Sequence, residues 1–378
     1  MIDHTRINRR ALLSGTAALG ALAMTSIGTS TARAEQPPTF RLTEVASFDH
    51  QVTGVAASKE GRVFVSFPRW TEDSPVSVAE LMPDGMLKPY PDEAWNGWRN
   101  SRASTLAPAK HFVCVQSVAA DERGNLWVLD PAAPGNERVL AGGPKLVQID
   151  LASNKVVKVI PFGEDVALQG SYLNDVRFHP DGRTAYITDS GSRGAIVVVD
   201  LATGRAHSVL DGHLSTQADK SVEVANDGAK LVRSDGRGFV VNADSIALSR
   251  DGATLYWQAL TSRTLYSIAT AELAAPQDPA ALGQHVVEVG TTNVADGMLM
   301  SRDGKLYITS PEDNAVKLWN GKKAETVLSD TRLRWPDSMA EAPDGSIYVT
   351  ASHIPDMPWF KPDAPTAVPT KLFKMARS

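Results

Sequence analysis

The chain has 378 residues, of which 43% are hydrophobic and 21% charged, with a formal net charge of −5. This is enough for two average domains or one large all-β domain with a full core, and it excludes general disorder. The acidity leaves no basic field to hold nucleic acid or an anionic membrane, and the single Cys114 excludes an intrachain disulfide or a thiolate zinc cluster.

Residues 1–34 read as an export signal. Arg9-Arg10 precede a short apolar stretch that runs to about Ile27, and Thr31-Ala32-Arg33-Ala34 offers small residues for cleavage. Paired arginines before a weakly apolar segment predict twin-arginine export to the periplasm or medium, with residues 35–378 forming one mature domain. No later segment has the length of uninterrupted apolar residues needed to span a bilayer.

From there the chain repeats one small pattern six times, at Val52–Ser66, Val115–Leu129, Asn174–Thr188, Ala243–Trp257, Ala295–Thr309 and Pro336–Thr350. Each copy reads as a strand, a turn carrying Glu-Gly, Arg-Gly or Asp-Gly, and a second strand with a central aromatic. Matching positions are Thr53, Gln116, Asp175, Asp244, Asp296 and Asp337, spaced 41 to 69 residues apart. That spacing leaves room for two further strands per repeat, so the predicted fold is an all-β, six-bladed propeller with four-stranded blades. The aromatics Phe64, Trp127, Tyr186, Tyr256, Tyr307 and Tyr348 are expected to pack between blades. The last repeat is one strand short, while Phe40–Phe48 precedes the first repeat without a partner. It is expected to complete the sixth blade and close the ring. Ala269–Leu282 is Ala/Pro-rich and is expected to be a connecting loop with at most a turn or two of helix.

In a propeller the inner strands all start at one end of the central channel. That end therefore gathers Thr53, Gln116, Asn174, Asp175, Asp244, Asp296 and Asp337, ringed by Arg69, Trp70, Asp130, Asp189, Ser190, Trp335 and His353. Four carboxylates about one axis require a cation, a cationic ligand, raised pKa values or caps on nearby amides. An all-oxygen donor set of Asn174, Asp175, Asp244, Asp296 and Asp337 suits Ca²⁺ or Mg²⁺ rather than zinc. Motifs for serine hydrolases, nucleotide binding and zinc proteases are missing.

Several runs identify the chain as similar to the major royal jelly protein/Yellow family, in its compact bacterial branch. They are Val63–Trp70, Ser117–Asp130, Lys145–Leu151, Ser171–Phe178, Ala185–Gly191, Asp244–Tyr266, Asp296–Trp319 and Trp335–Phe373. The resemblance implies a six-bladed, usually secreted propeller, with activities ranging from dopachrome-type conversion to amine binding. More distantly the chain resembles gluconolactonase-like, calcium-dependent propellers. In those a Glu is expected where this chain has Thr53, and an Asn where it has Asp244. The reading adopted is a cation-assisted enzyme acting on a small lactone or ester, with Asp175 and Asp296 catalytic. Arg69, Trp70, Gln116, Tyr172, Trp335 and His353 are then expected to contact the substrate. The alternatives are a non-catalytic binder of small aromatic or amine ligands and a dopachrome-type tautomerase.

Overall fold

All six expected hairpins form, and each is the inner half of a four-stranded antiparallel sheet in a computed structural model that describes residues 39–274 and 278–378. The expected export segment, residues 1–34, lies outside the described residues. The turn glycines Gly61, Gly124, Gly182, Gly252, Gly304 and Gly345 all have φ between +70° and +85°, a conformation that disfavours any residue with a Cβ. Turn aspartates add a second constraint. Asp121, Asp181, Asp251 and Asp344 each accept a backbone N–H two residues ahead.

Blade 1 comprises Val55–Ala57, Val63–Ser66, Val78–Leu81 and Leu87–Pro89, and blade 2 Ser117–Ala120, Asn125–Asp130, Lys145–Asp150 and Lys155–Pro161. Blade 3 comprises Leu173–Phe178, Thr184–Asp189, Ala195–Asp200 and Ala206–Val209. Blade 4 follows with Ala243–Leu248, Thr254–Ala259, Thr264–Ala269 and Val287–Thr291. Blade 5 is Met298–Met300, Leu306–Ser310, Ala315–Trp319 and Ala324–Ser329. Blade 6 takes Pro336–Glu341, Ile347–Ala351 and Thr370–Arg377 from the end of the chain and Phe40–Phe48 from its beginning. The clasp is a ladder from Phe40 opposite Arg377 to Phe48 opposite Thr370, with Leu42 and Phe48 buried beneath it. It pairs the outer edge of Thr370–Arg377, which the end of the chain alone would leave open. Between blades 4's third and fourth strands lie a single 3₁₀ turn, Thr270–Leu273, and a five-residue helix, Pro279–Gly283. Among the described residues no helix is long and apolar enough to cross a membrane.

The core is a ring of seams between neighbouring blades. Phe64 packs with Val118, Leu126 and Val128 of blade 2, and Trp127 with Leu173, Val176 and Ile187 of blade 3. Tyr186 joins Ile246 and Leu255 of blade 4, Tyr256 joins Met298 and Leu306 of blade 5, and Tyr307 joins Met339 and Val349 of blade 6. Tyr348 completes the circle against Val55 and Val65 of blade 1. One aromatic per blade thus covers the next, so no blade can bury its faces alone.

A polar staple reinforces these seams near the axis. A hydroxyl at the end of each of three second strands donates to the carbonyl that starts the next blade. The bonds are Ser66 to Gln116 O at 3.1 Å, Thr188 to Asp244 O at 2.6 Å and Thr350 to Thr53 O at 2.7 Å. The same hydroxyls accept from Gly54 N, Asp175 N and Ser338 N, so one side chain satisfies the backbone of two blades.

Candidate functional site: an acidic centre on the propeller axis

The staples leave the inner-strand starts out of regular pairing. Register shifts fall between Leu173 and Val176, between Ala243 and Ser245, and between Pro336 and Met339. Bulges of this kind re-aim side chains, and these three hold Asp175, Asp244 and Asp337. Asp296 sits just ahead of the inner strand of blade 5, and its N–H and that of Gly297 both donate to Thr309 Oγ1, at 3.1 and 2.9 Å. A Cβ on Gly297 would lie 2.1 Å from the Asp337 carbonyl, so glycine is required for blades 5 and 6 to meet this closely.

All four carboxyl groups are buried and close enough to repel one another. Burial, and then Asp296, Asp175 and Asp337, hold Asp244 well above the usual carboxylate range. Asp337 is raised in the same way, first by burial and then by Asp296. Asp296 is pushed up to about 7 by burial, against the opposing effect of the Trp335 indole N–H, which donates to Asp296 Oδ2 at 2.5 Å. Asp175 is raised by burial as well, though Arg177 at 3.2 Å opposes the shift. Asp244 Oδ1 and Asp337 Oδ2 have no hydrogen-bond partner, while the Ser338 hydroxyl donates to Asp337 Oδ1 at 3.2 Å. Buried carboxylate oxygens without partners are costly, so this centre favours uptake of a proton or a cation.

The donor set fits a hard cation in charge and type, because the two orphaned oxygens belong to carboxylates and Asn174 adds an amide nearby. Among the described residues no three His, Cys, Asp or Glu side chains form a ready-made ion cluster. Any cation would therefore rely on amide, backbone or water oxygens as well as on the aspartates.

Trp70, Tyr172, Gln116 and Asn174 come together as a hydrogen-bonded chain beside these acids. Trp70 Nε1 donates to Tyr172 Oη at 2.6 Å, Tyr172 Oη to Gln116 Oε1 at 2.9 Å, and Gln116 Nε2 to Asn174 Oδ1 at 3.3 Å. Asn174 Nδ2 ends the chain on Ser190 Oγ at 3.0 Å. Thr53 lies at the same level, fully buried, with its hydroxyl on Gln116 O at 2.9 Å.

Other expected site residues are committed elsewhere. Arg69 has no exposed surface; Nη1 binds Ser77 Oγ and the carbonyls of Phe112 and Val113, and only Nη2 lacks a partner. It stitches blade 1 to the segment entering blade 2. Asp130 accepts the N–H groups of Val113, Cys114 and Ala132 and pairs with buried Lys145 at 2.7 Å, while Asp189 caps Tyr172 N and Gly191 N. His353, at φ +55°, lies 3.4 Å from Asp356, a carboxylate that also takes Arg334 and Lys361.

The sequence reading missed the covering over this end of the axis. The connection between blades 3 and 4 contributes a small ribbon, Ala225–Asn226 with Ala229–Lys230, and the loop after Ala351 lies against it. Val224, Leu231, Trp335, Ile354, Met357 and Val368 form its buried apolar centre. Phe239 packs edge-on against Trp335 at 5.7 Å and Trp359 against Trp70 at 5.6 Å. Trp335 holds φ +56°, a strained conformation for a bulky residue, in the position that delivers its N–H to Asp296. At the opposite, turn-bearing end a channel of about 190 Å³ reaches inward as far as Asp175 and Arg177. Arg177 crosses the channel to Met298 O of blade 5, at 2.7 Å, and narrows it below the acids.

Fold and site together define a six-bladed propeller with an acidic axial centre under an aromatic cap. The chain belongs to the major royal jelly protein family, which it matches over residues 113–360. Among solved structures it resembles a gluconolactonase of Xanthomonas campestris, at 12% identity and TM-score 0.54, covering 91% of this chain and 96% of that one. It also resembles a luciferin-regenerating enzyme, at 10% identity and TM-score 0.54, covering 89% and 95%. A calcium-binding regucalcin of Agrobacterium tumefaciens follows at 14% identity and TM-score 0.51, covering 88% and 94%. At these identities the likeness is one of fold. No curated protein matches the chain in sequence.

Proposed function

We propose that the protein is an exported, cation-assisted enzyme that hydrolyses a small lactone or ester at the axial centre. The observation that carries this reading is the pair of buried, unpartnered carboxylate oxygens, Asp244 Oδ1 and Asp337 Oδ2, among four mutually repelling aspartates. Asn174, Asp175, Asp244, Asp296 and Asp337 would hold the ion, with Ca²⁺ the best match to oxygen donors of this kind. Such an ion polarises an ester carbonyl. The residues contribute the rest. In the ion-free centre burial pushes Asp296 up to about 7, so an ion binding there would displace a proton, and the Trp335 N–H keeps its carboxyl in place. Under the cap, the Trp70–Tyr172 pair holds Gln116 and, through it, Asn174 in place beside the acids. The gluconolactonase and regucalcin likenesses are consistent in fold with this assignment.

A second reading rests on Asp296 alone. A buried carboxyl that titrates near neutrality beside aromatic walls also suits acid–base tautomerisation of a catechol-derived quinone, with no ion needed. Purified mature protein assayed on panels of lactones and catechol quinones separates the two. Lactone hydrolysis abolished by chelator and restored by Ca²⁺ supports the first, and chelator-resistant quinone conversion supports the second.

A further inference from the structure

We propose a second ligand site, on the turn-bearing face, that takes a small aromatic carboxylate. A cleft of about 550 Å³ opens there between blades 2 and 3 and reaches beneath blade 4, a volume suited to a small molecule. Its aromatic floor is built by Trp127 and Phe178, stacked with centroids 4.8 Å apart and planes at 27°. The indole N–H of Trp127 is held by Asp121 Oδ2 at 2.8 Å, so the floor is fixed rather than adaptable. Phe178 is half-buried, and Pro180, Leu248 and Leu299 extend the apolar lining.

The charge on the walls points to an anion. Arg123, Lys158, Arg177 and Arg250 line the cleft against two carboxylates, Asp121 and Glu122, in a chain whose overall charge is −5. Asp121 is already occupied by Asn125 and Trp127 as well as by backbone N–H groups. Arg123 and Lys158 bind backbone carbonyls only: Arg123 Nη2 donates to Asp181 O at 2.6 Å, and Lys158 Nζ to Leu201 O at 2.6 Å and Ala202 O at 3.3 Å. Among the described residues neither has a carboxylate within ion-pair distance, and Arg250 meets Glu122 only at 3.8 Å. Arg123 reaches its place because residue 182 is glycine; a Cβ there would lie 2.2 Å from its Nε. A ring laid on Phe178, itself stacked on buried Trp127, with a carboxylate between Arg123 and Lys158 would satisfy both surfaces. The cleft adjoins the axial channel and shares Asp121, Glu122, Arg177 and Arg250 with it, so the test uses Arg123 and Lys158, which line the cleft and not the channel.

The test is calorimetric titration of the full chain at low salt with indole-3-acetate and with its uncharged isostere indole-3-acetamide. The acid is expected to bind with a Kd of about 1 mM or tighter, and the amide at least roughly tenfold more weakly. Lys158→Gln, at a half-exposed position, and Arg123→Gln, at an exposed one, are each expected to weaken the acid by roughly tenfold while leaving the melting temperature in place. Equal affinity for acid and amide in the wild-type chain would overturn the proposal, as would unchanged acid binding in both variants.

Discussion

Replacing Asp296 by asparagine keeps the side-chain volume and removes one charge from the axial centre, so its consequences can be worked out with sign and size. In the folded chain Asp296 titrates at about 7, against 3.8 for an unperturbed aspartate. The folded state therefore holds this proton more tightly than the unfolded state does. Its contribution to stability is complete below the unfolded pKa and is lost as pH rises from about 4 through 7. A rise from 3.8 to about 7 corresponds to roughly 4 kcal/mol for Asp296 in ion-free protein. For a domain of this size that is roughly 5–10 °C of melting temperature. The assay is thermal melting of both chains in chelator from pH 5 to pH 8, read as the difference between them. Asp296→Asn is expected to gain on wild type as pH rises and to be the more stable chain at pH 8. Added Ca²⁺ is expected to reverse that order, since an ion bound only to the folded state stabilises it and the variant binds it less well. Parallel pH profiles for the two chains, together with no response to Ca²⁺, would refute the reasoning.

Deleting Phe40–Phe48 removes the outer strand of blade 6 and two buried apolar side chains, Leu42 and Phe48, worth about 3–6 kcal/mol before the lost ladder is counted. The expected result is aggregation or a collapse in melting temperature, and a soluble variant with unchanged melting would show that the clasp is dispensable. Lys145→Met leaves Asp130 charged and buried, with an expected cost of about 3–5 kcal/mol in denaturant unfolding. A cost below about 1 kcal/mol would mean that the three N–H donors to Asp130 suffice without the lysine. Exchanging Arg9-Arg10 for Lys-Lys is expected to trap precursor in the cytoplasm, as judged by fractionation, and normal secretion would remove the twin-arginine assignment.

The repeat made most of this fold legible, because its signals are local. A turn glycine, a strand of alternating pattern and a central aromatic recur in each copy, and the structure uses that aromatic as the seam to the next blade. Closure could be read by counting strands, since Phe40–Phe48 had no partner and the last repeat lacked one. The inward turn of the aspartates was legible only in part. Their shared motif position put them near the axis, but the register shifts that hold Asp175, Asp244 and Asp337 depend on hydroxyl staples between blades, which no single repeat reveals. The cap was not legible, because the ribbon at Ala225–Lys230 and the loop after Ala351 carry no period. Arg69 read as a ligand contact because an arginine beside a tryptophan at a strand end looks the same in sequence whether it faces a cavity or backbone carbonyls.

The central claim is that the axial aspartates hold a divalent ion, and calorimetric titration of Ca²⁺ into chelator-stripped protein at pH 8 tests it most directly. One ion per chain is expected, weakened by at least roughly tenfold in Asp244→Asn and in Asp337→Asn, each of which removes one of the unpartnered carboxylates. No saturable binding, or binding that both variants leave unchanged, would contradict the account.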